Sequence, residues 1–332
     1  MTQSTAPFPS STITALAPVT LPSYRQLRYG GDDMGVELEQ FPPEDQQLLV
    51  DLYAALQRLL ELLRDQPVVP AQLLARCEEL GWDSLMRQLR GLRVPPDMSG
   101  DPLWGQAIHD LRGGAMQALA VMIQMTTLGM IRPADLERMF FLTRDQLKIM
   151  RNCVGGLDPE GSARDAATRL HDASLLIEKW AATEHYLGER PAQIQVHSSF
   201  KGAIAERCLE FSALDRVIYN LINNATRHSA NGQVDMWIVP AGDDNLRFAV
   251  ANPISPEQQR TLTNRFPKGP GALFSGGFST TGSGLGMRIC ADFVCNAYGI
   301  REISQALSEG HLGATLLESH FVAWFHWPVV GD

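Results

Sequence analysis

The sequence predicts an α-helical region built around a helical hairpin, half of a dimeric four-helix bundle, followed by an α+β sandwich. Three observations predict it. Apolar residues recur at spacings of three and four from about Pro43 to Cys153. Beyond that point helical stretches interleave with β-rich runs joined by tight turns. The turns suit one antiparallel sheet backed by helices, and no internal repeat intervenes.

Residues 1–41 are rich in Ser, Thr, Pro and Gly and read as a disordered polar tail. The opening residues lack a basic n-region and carry several prolines, so they do not read as a signal peptide. Residues 42–98 form an N-terminal helical region. Pro43 with Glu44 and Asp45 starts a helix. Leu49, Leu52, Leu56, Leu59, Leu60 and Leu63 share one stripe of it, either a packed face or a short coiled-coil seam. A second helical stretch, Pro70 to Leu92, ends at the linker "RVPPDMSGDP".

Residues 99–157 are the hairpin. Its first arm repeats Leu111, Ala115, Ala118, Leu119, Met122 and Met125, and its second Leu136, Met139, Phe140, Leu147 and Met150. Two such stripes need a partner pair, which a homodimer supplies. Residues 165–330 are the mixed region. A helix near Ala166–Trp180 is followed by short strands in "QIQVHSSF" and "GAIAERC" and a helix over "SALDRVIYNLINNATRHS". Strands "GQVDMWIV" and "NLRFAVAN" flank the turn "AGDDN". A loop over Pro253–Ser283 leads into a helix ending near Tyr298, and "ATLLESHFVAWFHWP" closes the sheet with aromatics that pack it.

The chain of 332 residues carries a formal charge of −9, which argues against a life on nucleic acid or anionic lipid. No window approaches the roughly 18 uninterrupted apolar residues of a membrane span. The five cysteines are odd in number and lack C-x-x-C spacing, so they read as reduced thiols of a cytoplasmic protein. His197, His311, His320 and His326 show no metal-ligand spacing with cysteine. His171-Asp172 reads as a surface pair in a charged helix.

Three stretches carry chemistry. In "TTGSGLGMRIC" the alternating Gly282, Gly284 and Gly286 let backbone N–H groups approach an anion, and the helix start adds partial positive charge. It is neither a P-loop nor a dinucleotide fingerprint. In "YNLINNATRHS" Asn220 and Asn224 share a helical face. An Asn oxygen is a hard ligand suited to Mg²⁺. Arg227 is placed to neutralise phosphate and His228 to pack on a base. In "AIHDLRGG" a neutral His109 is a nucleophile, and Asp110 can hold one ring nitrogen protonated while the other attacks.

Together and in this order, these stretches resemble sensor histidine kinases of two-component systems. "HDLR" (109–112) resembles their phosphoacceptor box, "NLINNA" (220–225) their asparagine box and "GSGLGM" (282–287) their last glycine box. Phe274 and Phe278 stand where the family has its phenylalanine box. The resemblance covers Leu103 to Pro328 and implies a GHKL-type ATP-binding catalytic domain over residues 165–330. It implies that ATP and Mg²⁺ are the cofactors, that Asn224 binds the metal and that Asn220 supports it. It implies that Arg227, Thr280, Leu285 and the three glycines hold the triphosphate. His228 and Asn252 would meet the base. His109 would take the γ-phosphoryl group, with Asp110 orienting it, and pass it to the receiver domain of a response regulator.

Three departures stand out. "VANPIS" replaces the family's Asp-x-Gly-x-Gly box, so Asn252 meets the adenine amine without charge and Pro253 alters the pocket floor. Gly113 occupies the position, one turn after the histidine, where the family orients water for dephosphorylation, so phosphatase activity by that route is expected to be poor. No transmembrane sensor precedes the hairpin, which leaves the N-terminal helices to sense, dimerise or dock to a separate sensor protein. The departures also fit a phosphotransfer or scaffold protein with a degenerate pocket. Other ATPases of the superfamily fit less well: a serine-kinase anti-sigma factor lacks the hairpin, and a DNA-repair ATPase needs a transducer domain.

Overall fold

The computed structural model describes residues 6–31, 35–64, 68–181, 183–186, 191–276 and 285–331. The chain divides into two compact units. One comprises Met1–Gly31 with Thr168–Asp332, the other Asp32–Ala167.

The first element corrects the expectation of a disordered tail. Helix α1 (Ser10–Thr14) and its flanks pack on the unit that contains the sheet. Phe8 and Ile13 are buried in a cluster with Trp237, Val239, Ala249, Ala251, Val322 and Trp324. Two apolar side chains and a set of main-chain acceptors therefore overrule a polar composition.

The 32–167 unit is helical. Strand β1 (Val36–Glu37) pairs in parallel with β2 (Val154–Gly155). Between them lie α2 (Pro43–Arg64), α3 (Pro70–Glu79), α4 (Trp82–Gly91), α5 (Pro102–Arg112), α6 (Gly114–Thr127) and α7 (Pro133–Cys153). Helix α8 (Pro159–Ala166) follows and is tied to α7 by the Arg151–Asp165 ion pair. The expected first hairpin arm is broken at Gly113 into α5 and α6. The stripe on α2 is a packed face: Leu49, Leu52, Leu56, Leu59 and Leu63 are buried, and Gln47, Asp51, Gln57, Arg58 and Glu61 face solvent. Within the same chain, α2 packs along α7 and α3 lies on α6.

The other unit continues with β3 (Thr168–Asp172), α9 (Ser174–Trp180), β4 (Thr183–His185), β5 (Ala192–Ser198), β6 (Ala203–Arg207), α10 (Cys208–His228), β7 (Gln233–Pro240) and β8 (Asn245–Pro253). It ends with α11 (Pro256–Arg265), α12 (Gly286–Tyr298), α13 (Ile303–Ser308), β9 (Leu312–Leu317) and β10 (His320–Pro328). The helix expected over Ala166–Trp180 is largely strand β3 and short α9. His171, expected on a surface helix, is buried on β3 with its ring stacked on Phe211.

The main sheet has the order β4-β5-β7-β8-β10-β9. It is mixed rather than wholly antiparallel, because β5 and β7 run parallel. The long connection through β6 and α10 makes that crossover possible. Helices α10 and α12 cover one face. The N-terminal segment covers the other, so nearly every residue of β7, β8 and β10 is buried.

Arg247 on β8 fastens the N-terminal segment. Its fully buried guanidinium donates to the main-chain oxygens of Ile13, Thr14, Ala17 and Pro18, and its Nε donates to His326 Nε2 at 2.9 Å. Further along, His311 bonds Pro22 O, Tyr24 N–H donates to Tyr298 O, and Arg28 pairs with Glu210.

His326 must be neutral to accept from Arg247. Burial, then the Arg247 charge, pushes its pKa down from 6.5 to about 3. The folded value is depressed, so the contribution is intact above about pH 6.5 and is lost as pH falls toward 3. The unfolded chain takes up a proton that the folded chain refuses. From pH 6.5 to 5 this destabilises the unit by about 2 kcal/mol. Urea midpoints across this range should fall, and His326→Gln should flatten the decline.

Burial raises the thiol pKa of Cys77 to about 11 and of Cys153 and Cys295 to about 12, and raises that of Cys290 further. The thiols are free. Among the described residues no helix is long and apolar enough to cross a membrane, and no side-chain cluster could hold a metal ion by itself.

Candidate functional site

The candidate chemistry lies in both units. In the helical unit His109 sits in the last turn of α5. Its Nδ1 lies 3.4 Å from Asp110 Oδ1. The His109 side chain is 20% exposed and Asp110 is buried, at 6%. A proton on Nδ1 therefore faces a carboxylate, which leaves the Nε2 lone pair for attack.

Gly113 ends α5 with an extended backbone, φ −98° and ψ −165°. A Cβ at this position would stand 2.6 Å from His109 O and 3.4 Å from His109 Cε1. The break frees main-chain oxygens, and fully buried Gln146 of α7 donates its Nε2 to Leu111 O at 3.3 Å. Arg112 donates to Leu92 O. Nothing in the sequence pattern flags Gln146, whose partner exists only once α5 and α7 pack.

In the sheet unit, α10 and the start of α12 meet. Asn220 is buried and Asn224 half-buried. A Cβ on Gly286 would lie 3.4 Å from Asn220 Oδ1 and 3.8 Å from Asn224 Nδ2. Gly286 thus places the start of α12 at ordinary contact distance from the two carboxamides. Amide oxygens beside free N–H groups suit a hard cation carrying phosphate, so these residues fit Mg²⁺ and a triphosphate. Leu285 precedes the helix and is partly exposed, at 36%. Thr280, Gly282, Gly284 and Phe278 lie outside the described residues. Phe274 is fully buried in the short 3-10 turn Pro270–Ser275, which packs on α12.

Arg227 and His228 end α10. Arg227 is exposed at the end of the helix, and partial desolvation lowers its pKa; burial lowers that of His228, and the neighbouring Arg227 charge adds to it, which favours a neutral imidazole. Gln258 of α11 fixes this end by donating to His228 O. Asn252, 1% exposed near the end of β8, donates its Nδ2 to Pro253 O at 3.3 Å. That orientation leaves the carboxamide oxygen as the acceptor for an amine.

Buried side chains hold α10 in place. Asn223 Oδ1 lies 2.6 Å from His185 Nε2. Lys179 pairs with Asp215 and lies over the Tyr219 ring. Arg216 stands over the Phe293 ring of α12 at 4.5 Å, linking the two helices that meet at the site. Burial lowers its pKa to about 10, so it stays charged. The sequence contained one hint: Asn223 sits between the two site asparagines, turned to another face by the helical period.

A comparison with curated proteins gave no match. Among solved structures the chain is similar to the mycobacterial sensor histidine kinase MprB, at 17% identity over 49% of this chain and 97% of that one, TM-score 0.30. It is also similar to full-length ShkA in complex with AMPPNP, at 14% identity over 90% of this chain and 47% of that one, TM-score 0.35. A third is ThkA in complex with the response regulator protein TrrA, at 12% identity over 76% and 67%, TM-score 0.28. Residues 210–328 match a family model, from the start of α10 to the end of β10. The asparagine face of α10 and the start of α12 lie inside that span, and the model it matches is described as the histidine kinase-, DNA gyrase B-, and HSP90-like ATPase.

Proposed function

We propose that the chain is a soluble, cytoplasmic protein-histidine kinase that phosphorylates His109 from Mg-ATP and passes the phosphoryl group to a response-regulator aspartate. The observation that carries this reading is that Gly286, at the start of α12, faces Asn220 and Asn224 of α10 within a span that matches an ATPase family model. His109 beside Asp110 supplies an acceptor in the same chain.

In this reading Asn224, supported by Asn220, holds Mg²⁺, and Arg227 with the N–H groups at the start of α12 holds phosphate oxygens. When bound there, Mg²⁺ would neutralise charge on the phosphates, which with positioning is most of what phosphoryl transfer requires. Thr280, Gly282, Gly284 and Leu285 complete the phosphate loop. The Nε2 lone pair of His109 bonds to the γ-phosphorus. The bond from that phosphorus to the bridging oxygen breaks, and its electron pair leaves with ADP. The Nδ1 proton stays, and Asp110 steadies the positive charge on the ring. An aspartate oxygen of the receiver domain then bonds to phosphorus, and the P–N electron pair returns to His109. Asn252 replaces a charged reader of the adenine amine, so ATP affinity is lower than a carboxylate would give.

Incubation with γ-labelled ATP and Mg²⁺ tests this. Acid-labile label is expected on the wild type and absent from His109→Ala and Asn224→Ala. No label together with no ATP binding would leave the phosphotransfer or scaffold reading, in which a phosphorylated partner loads His109.

A further inference from the structure

We infer that Arg93, just past the end of α4, and Arg112, the last residue of α5, together clamp the phosphoryl group on His109. The N-terminal helices thereby contribute a residue to the acceptor site. This rests on the kinase reading only for His109 as the phosphoacceptor, not for ATP as the donor.

One oxygen brings the two side chains together. Leu92 is buried, and its main-chain oxygen accepts from Arg93 Nη1 at 3.1 Å and from Arg112 Nη1 at 3.3 Å. Arg93 Nη1 also donates to Arg90 O at 2.8 Å and to Gly91 O at 3.2 Å, so it closes the C-terminal end of α4. Capping alone accounts for Arg93. It does not account for a second guanidinium, from another helix, on the same oxygen. Two like charges repel, and a neutral carbonyl does not cancel them.

Among the described residues neither guanidinium has a carboxylate partner. Elsewhere in this unit the half-buried Arg144 and Arg151 pair with Asp145 and Asp165. Arg112 is also half-buried and has the Leu92 oxygen instead. An anion is the partner that would complete the pair.

The place of His109 says which anion. Arg112 follows it by three residues, so both side chains leave the same side of α5, with Cβ atoms about 5–6 Å apart. Helical side chains lean toward the N-terminus, which carries the longer Arg112 back over the turn that holds His109. Asp110 occupies the Nδ1 side of the ring. A phosphoryl group on Nε2 would add about two negative charges and three strong acceptor oxygens. Guanidinium forks match phosphate oxygens in geometry as well as charge. The Leu92 oxygen holds both forks in place until the anion arrives.

Phosphoramidate tests this on the full chain without ATP. The Nε2 lone pair of His109 bonds to its phosphorus, its P–N bond breaks, and ammonia leaves. The wild type should load. Arg93→Gln and Arg112→Gln should each load about tenfold more slowly, the effect of one lost charge-assisted hydrogen bond. Inorganic phosphate should compete with loading of the wild type and compete about tenfold less well in both variants, which a role in folding alone would not produce. Arg93→Lys keeps the charge and should recover part of the rate. Arg87→Gln, on the outward face of α4, should match the wild type. Arg93 is exposed, so its variants still decide the matter if Arg112→Gln loosens α5. Unchanged loading and unchanged competition in Arg93→Gln would overturn the clamp. No loading of the wild type would show that His109 is not an acceptor, and the clamp would fall with it. Loading from phosphoramidate without label from ATP would sink the kinase reading alone, and the arginine variants would still decide the clamp.

Discussion

A chain lacking residues 1–22 should unfold at a much lower urea concentration than the full chain. Phe8 and Ile13 are buried against Trp237, Val239, Ala249, Ala251, Val322 and Trp324, and re-exposing two such side chains forfeits about 1.5–3 kcal/mol each. Arg247 would also lose the main-chain oxygens of Ile13, Thr14, Ala17 and Pro18. A buried charge stripped of its partners destabilises by about 3–5 kcal/mol, although water admitted by the deletion would soften this. The sum is comparable with the whole stability of an ordinary domain, about 5–15 kcal/mol. Tryptophan fluorescence is the natural probe, because Trp237 and Trp324 lie under the deleted segment. Arg247→Met in the full chain should reproduce part of the loss, since the apolar contacts remain. An unchanged midpoint on deletion would mean that the segment does not contribute to the folded unit.

Why was that segment not legible? Ser, Thr and Pro dominate its composition, and two anchoring side chains vanish in such an average. The signal lay elsewhere. "DMWIV", "FAVAN" and "FVAWFHW" are continuous apolar runs, whereas a sheet with one wet face alternates. Both faces of β7, β8 and β10 had to be covered, and α10 with α12 could cover only one. The helical half repeats the lesson. Periodicity located the stripes on α2, α6 and α7, because a 3.6-residue period is a property of the local chain. A stripe says that it must be buried and leaves open against what, so a second hairpin and the preceding α2 fitted the pattern equally. The site was legible to the same depth. The spacing of Asn220 and Asn224 places them on one face of α10 without knowledge of the fold. Gln146 and Arg216 act on partners that only tertiary packing brings near, Leu111 O and the Phe293 ring.

Gly113→Ala separates local propensity from packing. By propensity alone, alanine should stabilise a helix by about 1 kcal/mol over glycine. The backbone at Gly113, with φ −98°, is open to any residue, so no left-handed strain opposes the change. The obstacle is contact: the new Cβ would stand 2.6 Å from the main-chain oxygen of His109. That oxygen moves only if the last turn of α5 moves, and His109 moves with it. The expected result is a loss of about 1–3 kcal/mol, opposite in sign to propensity, as for other overpacked sites. Labelling of His109 should fall about tenfold, the size expected when a reacting group is misplaced by a fraction of an ångström. Relief could come another way, by straightening α5 and α6 into one helix. Leu111 O would then accept from Ala115 N–H, as in any continuous helix, and Gln146 would lose its partner. The double variant Gly113→Ala, Gln146→Leu tells the two apart. If the break persists, removing the Gln146 amide from Leu111 O destabilises both backgrounds alike. If the helix straightens, Gln146→Leu becomes neutral or stabilising in the alanine background, because it removes a buried amide that no longer has a carbonyl to meet.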